Sequence, residues 1–283
     1  MNDVSRPPLG PRALKWGDAE PKAVFLPANG FPVASYDFLL SPLAKRWPLL
    51  GIENRGVWDE APPSQGFNWA SHAADLLELL GQGSVEQPIV GMGHSIGATV
   101  TAMAARQHPE QFRALVLIDP ATVPGRWLPL LVRLMPSLTK RMDLVTRTRN
   151  RREIWPDEEA FVSYHRDKPV FRTFSEQAMA DYAKAALRES GAAYKLAYCR
   201  EWEAWNFQHT AVFWPVVRKL PMPTLILRGE TSYLHPASEF ARNSRRLPDH
   251  IQAVTVAGAG HMLPQEAPEE VLSLVSDWLA VLD

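Results

Sequence analysis

The chain predicts an α/β fold, a mostly parallel sheet flanked by helices, interrupted by an inserted α-helical lid. Short continuous apolar runs alternate with helical periodicities, and runs of that kind are strands buried on both faces. Strand–helix alternation produces a parallel sheet with helices on both sides. The rhythm breaks between about residues 123 and 217, where strand-like runs vanish and helical stretches take over. The length of 283 residues suits one large domain carrying such an insertion.

In chain order, the strands read as Ala23–Leu26, 49–53, 89–92, 114–118, 224–227 and Ile251–Val256. Helices read by period at 69–80, 98–107 and Pro268–Leu282, where Pro268 suits a first turn. Within the insertion, 158–164 and 175–188 are helical. The expected division is a core of 1–122 and 214–283 with a lid of 123–213. The stretch 123–217 holds five of the ten tryptophans, Trp127, Trp155, Trp202, Trp205 and Trp214, with Phe161, Phe171, Phe174 and Phe207. These aromatics either pack within the lid or wall an apolar pocket.

Hydrophobic residues make up 46% of the chain, and 30 basic against 31 acidic residues leave a formal charge of -1. There is no global pull toward nucleic acid or an anionic membrane, so the expected partner is a neutral or apolar small molecule. The basic cluster Lys140, Arg141, Arg147, Arg149, Arg151 and Arg152 reads as a solvated face rather than a nucleic-acid footprint. Cys199 is the only cysteine. It excludes an internal disulfide, a cysteine zinc cage and a CxxC pair, and fits a reduced compartment. Residues 1–16 are broken by Pro7, Pro8 and Pro11 without the apolar centre of a secretory signal, and no run approaches ~18 apolar residues. A soluble cytoplasmic protein without a membrane partner is expected; a homodimer is left open.

Gly93-His94-Ser95-Ile96-Gly97 lies between an apolar strand and a helical run. A serine flanked by glycines at a strand-to-helix turn is the nucleophile elbow of serine hydrolysis. The turn is strained while neighbouring backbone passes close, which only glycine permits. Three other segments fall where acyl transfer needs them. Pro27-Ala28-Asn29-Gly30-Phe31-Pro32 follows an early strand, and Leu117-Ile118-Asp119-Pro120 closes the strand after the elbow helix. Gly258-Ala259-Gly260-His261-Met262-Leu263-Pro264-Gln265-Glu266-Ala267-Pro268 joins the last strand to the last helix. A histidine on such a loop can titrate near working pH and reach the nucleophile.

Together these segments resemble the α/β-hydrolase fold family, in its serine esterase and lipase-like form with a helical lid, over nearly the whole chain outside the insertion. The resemblance implies Ser95 as nucleophile, His261 as general base, and the backbone N–H groups of Phe31 and Ile96 as oxyanion donors. Asn29 stands where the family usually has histidine; Asn29 and His94 are expected at the substrate. The family's commonest pattern supplies an aspartate three or four residues after the glycine of Thr224-Leu225-Ile226-Leu227-Arg228-Gly229. This chain has Ser232 and Tyr233 there, and neither can serve. Asp119 is the expected acid, in the order serine, acid, histidine; Glu230 and a dyad without an acid are the alternatives, and Asp119 could instead cap the entry into the lid. His72, His108, His165, His209, His235 and His250 read as surface or supporting groups.

The implied activity is hydrolysis of a neutral, apolar small-molecule ester, carboxylesterase-like, with no metal or organic cofactor. Serine-dependent C–C bond hydrolysis and non-catalytic ligand binding on the same fold are the alternatives. Gly91-Met92-Gly93-His94-Ser95-Ile96-Gly97 also fits a dinucleotide fingerprint, but that leaves the Asn29 and His261 loops unexplained.

Overall fold

The computed structural model describes residues 12–59, 65–81, 88–122 and 143–282. Its central sheet has seven strands in the order β1-β3-β2-β4-β5-β9-β10. They are β1 (Ala13–Trp16), β2 (Ala23–Leu26), β3 (Leu49–Ile52), β4 (Ile89–His94), β5 (Phe112–Ile118), β9 (Thr224–Gly229) and β10 (Ile251–Val256). All neighbours pair in parallel except β1, which runs antiparallel to β3 at one edge. Helices α1 (Asp37–Ala44), α2 (Arg55–Trp58), α3 (Trp69–Gly81) and α4 (Ile96–Gln107) link the first strands. Beyond β9 come α10 (Ala237–Ser244), α11 (Leu263–Glu266) and α12 (Pro268–Leu282).

Strand side chains alternate between two cores, as the two-residue period requires. Phe25, Met92, Val116, Leu225 and Leu227 face α1 and α12, whose buried stripe is Val271, Val275 and Leu279. Val24, Leu26, Leu115, Leu117 and Ile226 face α3 and α4. On α3 the buried stripe Trp69, Ala73, Leu76 and Leu80 follows the 3.6-residue period. Burial on both faces is what made these strands continuous apolar runs.

Between β5 and β9 the described chain runs through α5 (Asp143–Arg149), α6 (Glu158–Arg166), α7 (Glu176–Ala186), α8 (Arg200–Gln208) and α9 (Trp214–Val217). The Asp157 carboxylate caps α6 by accepting the Ala160 N–H at 2.7 Å, and the Ser175 hydroxyl caps α7 by accepting from Ala178. The stretch also holds an antiparallel sheet in the order β6-β8-β7, made of Ile154–Trp155, Ala193–Leu196 and Leu187–Ser190. The sequence pattern anticipates only helix here. The helix expected over 175–188 stops at Ala186, because Gly191, at φ 64°, lets β7 turn back directly on β8. Trp127, Lys140 and Arg141 lie outside the described residues. Among the described residues, no helix is long and apolar enough to cross a membrane.

Just after β3, Glu53 accepts the Val33 N–H on Oε2 at 2.8 Å, fixing the chain that leaves the Asn29–Phe31 loop. Burial raises its pKa to about 8, against the opposing effects of the Val33 N–H and Arg188. The folded state therefore keeps a proton that the unfolded chain releases near 4.5. Stability from this group is full below that value and falls as pH rises toward 8. Glu53→Gln, which can still accept from Val33, is expected to flatten this fall in denaturant unfolding between pH 5 and 8.5; identical pH slopes for both proteins contradict it.

Candidate active site

The carboxyl ends of four parallel strands and the loops beyond them supply the site, the usual place for ligands in such sheets. Ser95 sits between β4 and α4 at φ 56° and ψ -120°. A Cβ on Gly97 would strike the Leu26 carbonyl oxygen and lie 2.7 Å from that of Pro27; one on Gly93 would lie 2.5 Å from the Gly97 carbonyl carbon. Only glycine lets β2 and the elbow pass this closely. Among described non-glycine residues only Ser95 and Asp119, at φ 37°, have positive φ. Backbone strain is thus concentrated at two residues singled out for chemistry.

The side chains of these residues meet His261, which the loop after β10 carries in. Ser95 Oγ lies 3.0 Å from His261 Nε2, and His261 Nδ1 lies 2.7 Å from Asp119 Oδ2. A carboxylate only accepts, so Nδ1 holds the proton and Nε2 offers its lone pair to the serine hydroxyl. Asp119 is fully buried. Its Oδ2 also accepts from the Ser232 hydroxyl at 2.6 Å, and its Oδ1 from the Gly229 N–H at 3.0 Å. Burial opposes its ionisation, but hydrogen bonding and charge from His261, with His235 and Ser232, outweigh burial and hold its pKa below the usual carboxylate value. Ser232 occupies the place where the commonest pattern puts the acid, and it supports Asp119 from there. Glu230, the runner-up for the acid, is placed elsewhere: it is exposed and accepts the Gly258 N–H at 2.8 Å.

The oxyanion loop is less open than the resemblance implies. The Phe31 N–H makes a long 3.3 Å turn bond to the Ala28 carbonyl. Ile96, as the first residue of α4, has an N–H outside the helix's own bonding ladder. The side chains of the two residues expected at the substrate are engaged within the protein. Asn29 spends its amide on the insertion: Nδ2 donates to the Glu203 carbonyl at 2.9 Å, while Oδ1 accepts from Tyr198 Oη at 3.1 Å and Asn206 Nδ2 at 3.0 Å. His94 is fully buried with both ring nitrogens engaged, at Tyr36 Oη and the His261 carbonyl. Tyr36, Tyr198, Asn206 and Ser232 are the supporting residues that sequence reasoning missed; of these only Ser232 carried a signal, its place after Gly229.

Aromatic side chains of the insertion close over Phe31. Tyr182 lies 4.7 Å from its ring, and Phe171 and Phe174 each 6.3 Å, with Phe161 and Trp155 packed behind. His165 is embedded in the same wall, where burial pushes its pKa down to about 4. The other tryptophans pack elsewhere: Trp202 against Phe67, Trp205 on His209, and Trp214 against Phe240. The described arginines of the basic cluster are occupied, Arg147 with Asp143, Arg149 with Glu201, Arg151 with Glu203, and Arg152 over the Trp155 ring. His72 and His235 are buried rather than on the surface.

A family model described as the alpha/beta hydrolase family matches residues 23–274. The 2-(acetamidomethylene)succinate hydrolase of Mesorhizobium japonicum is 26% identical over 258 residues, spanning 87% of this chain and 83% of that protein. The sn-1-specific diacylglycerol lipase ABHD11 of Mus musculus is 24% identical over 271 residues, 93% of this chain and 83% of that one. The crystal structure of E-2-(acetamidomethylene)succinate hydrolase superposes with a TM-score of 0.78 at 21% identity, covering 95% of this chain and 94% of the other, which shows a shared fold. With a family match across most of its length, the chain belongs to the alpha/beta hydrolase family.

Proposed function

We propose that this protein is a serine hydrolase that cleaves neutral, apolar small-molecule carboxylic esters through an acyl-enzyme on Ser95, with residues 123–213 serving as its lid. The observation that carries the reading is the unbroken bond series Ser95 Oγ, His261 Nε2, His261 Nδ1, Asp119 Oδ2. His261 Nε2 takes the hydroxyl proton as Oγ attacks the ester carbonyl, and the Phe31 and Ile96 N–H groups receive the negative oxygen. The imidazolium then protonates the departing alcohol. Water, deprotonated by the same nitrogen, releases the acid and regenerates Ser95. Asp119 fixes the tautomer and stabilises the imidazolium.

The aromatic wall over Phe31 supports an apolar acyl group. The name of the Mesorhizobium relative supports a second reading, a substrate bearing carboxylates. Against it, Arg151 is already paired with Glu203 at 2.8 Å, beside Gly30, so this cation is neutralised before substrate arrives.

A fluorophosphonate should label Ser95, and Ser95→Ala should abolish labelling and lower kcat by ~10⁶-fold. Peptide mapping that finds the label on another serine rejects the assignment. Across p-nitrophenyl esters, each added acyl methylene is expected to gain up to ~0.8 kcal/mol. Butyryl should therefore exceed succinyl in kcat/KM, since burying an unpaired carboxylate is unfavourable; the reverse order favours the second reading. Asp119→Asn should lose at least ~10²-fold in kcat with the fold intact, while Glu230→Gln should lose less than ~10-fold. A crippled Glu230→Gln beside a near-normal Asp119→Asn moves the acid elsewhere.

A further inference from the structure

His94 is buried, adjoins the nucleophile in sequence, and takes no part in the chemistry proposed above. Its partners define one hydrogen-bonding arrangement. The His261 carbonyl can only accept, so the Nε2 that lies 2.9 Å from it carries a proton. Burial, reinforced by the neighbouring His261, drives the His94 pKa down to about 3, so the ring is neutral and Nδ1 is an acceptor. Tyr36 Oη, 2.7 Å from that Nδ1, is therefore the donor, and its oxygen accepts the Ala28 N–H at 3.1 Å. The chain runs Ala28 N–H, Tyr36 O–H, His94 N–H, His261 C=O, with every donor used in one direction.

We infer that His94 is a positioning residue: through Tyr36 it ties the loop that presents the Phe31 N–H to the main chain that carries His261, so that oxyanion donor and base are set as one unit. Ala28 opens the turn whose last N–H belongs to Phe31, and His261 is held at both ends, by Asp119 on its ring and by His94 on its carbonyl. The two histidine rings lie 5.2 Å apart, so a charge on His94 would act directly on the base. Partners in this chain are 58 and 167 residues apart, which makes the tie tertiary rather than local. The inference rests on Ser95 and His261 acting as proposed.

The test measures kcat and KM per active site titrated with fluorophosphonate, which removes misfolded protein from the count. Tyr36→Phe keeps the ring but strands the Ala28 N–H and His94 Nδ1; His94→Asn reaches only the Nδ1 position, and His94→Gln reaches the Nε2 position. Each substitution breaks the chain at one link, so Tyr36→Phe, His94→Asn and His94→Gln are each expected to lose ~10- to 100-fold in kcat with KM little changed. The loss in Tyr36→Phe/His94→Asn should be smaller than the product of the single losses, because both break one chain. Nitrogen NMR of wild type at pH 7 should show His94 as the Nε2–H tautomer. Variants that melt earlier but keep kcat per titrated site overturn the inference. Wild type that does not label at Ser95 instead overturns the hydrolase reading and this inference with it.

Discussion

The Asp119 carboxylate accepts three hydrogen bonds from two parts of the chain that meet it only in the folded state. Gly229 ends β9, Ser232 lies in the loop after it, and His261 arrives on the loop after β10. A buried carboxylate without such donors is strongly destabilising, whereas bonds to a charged group contribute about 1.5–3 kcal/mol each. The arrangement is therefore all or nothing. Asp119 stays ionised because all three donors are in place, and His261 presents a free Nε2 to Ser95 because Asp119 is ionised.

Backbone geometry serves the same end. The positive φ of Ser95 and Asp119 costs on the order of 1–3 kcal/mol each, and the neighbouring strands bear it. Ser95 N–H bonds to Ile118 O at 3.0 Å, and Ser95 O accepts from Ala121 N–H at 2.9 Å, so the elbow and the acid's turn brace each other across β4 and β5. The Asn29–Phe31 loop is braced from two sides, by Asn29 against the insertion and by Glu53 beneath Val33. On this side the stretch between β5 and β9 is thus part of the site's frame: Asn206, which bonds Asn29, also accepts from Trp69 and His72.

Much of this was legible in the sequence. The strands of the parallel sheet were readable because burial on both faces forces apolar runs. The elbow, the Asp119 turn and the His261 loop were readable because strain and close approach restrict residue type within a few positions. What escaped depends on distance along the chain. The bonds of Asn29 reach 169, 174 and 177 residues away, so its side chain could not be assigned from a local Asn-Gly signal. His94 looked available to substrate because adjacency to Ser95 says nothing about which face of β4 its ring occupies. The small antiparallel sheet was hidden because strands of two to four residues show too little alternation, and β1 because it pairs at an edge.

The central claim is that Ser95, His261, Phe31 and Ile96 surround one reacting carbonyl. A crystal structure of the protein inactivated with a neutral alkyl fluorophosphonate tests all four at once. The account predicts phosphorus bonded to Ser95 Oγ, the phosphoryl oxygen within ~3 Å of both the Phe31 and Ile96 nitrogens, the Phe31–Ala28 turn bond displaced, and the alkyl chain against Tyr182 and Phe174. Phosphorus on any other residue, or a phosphoryl oxygen turned away from both N–H groups, contradicts it.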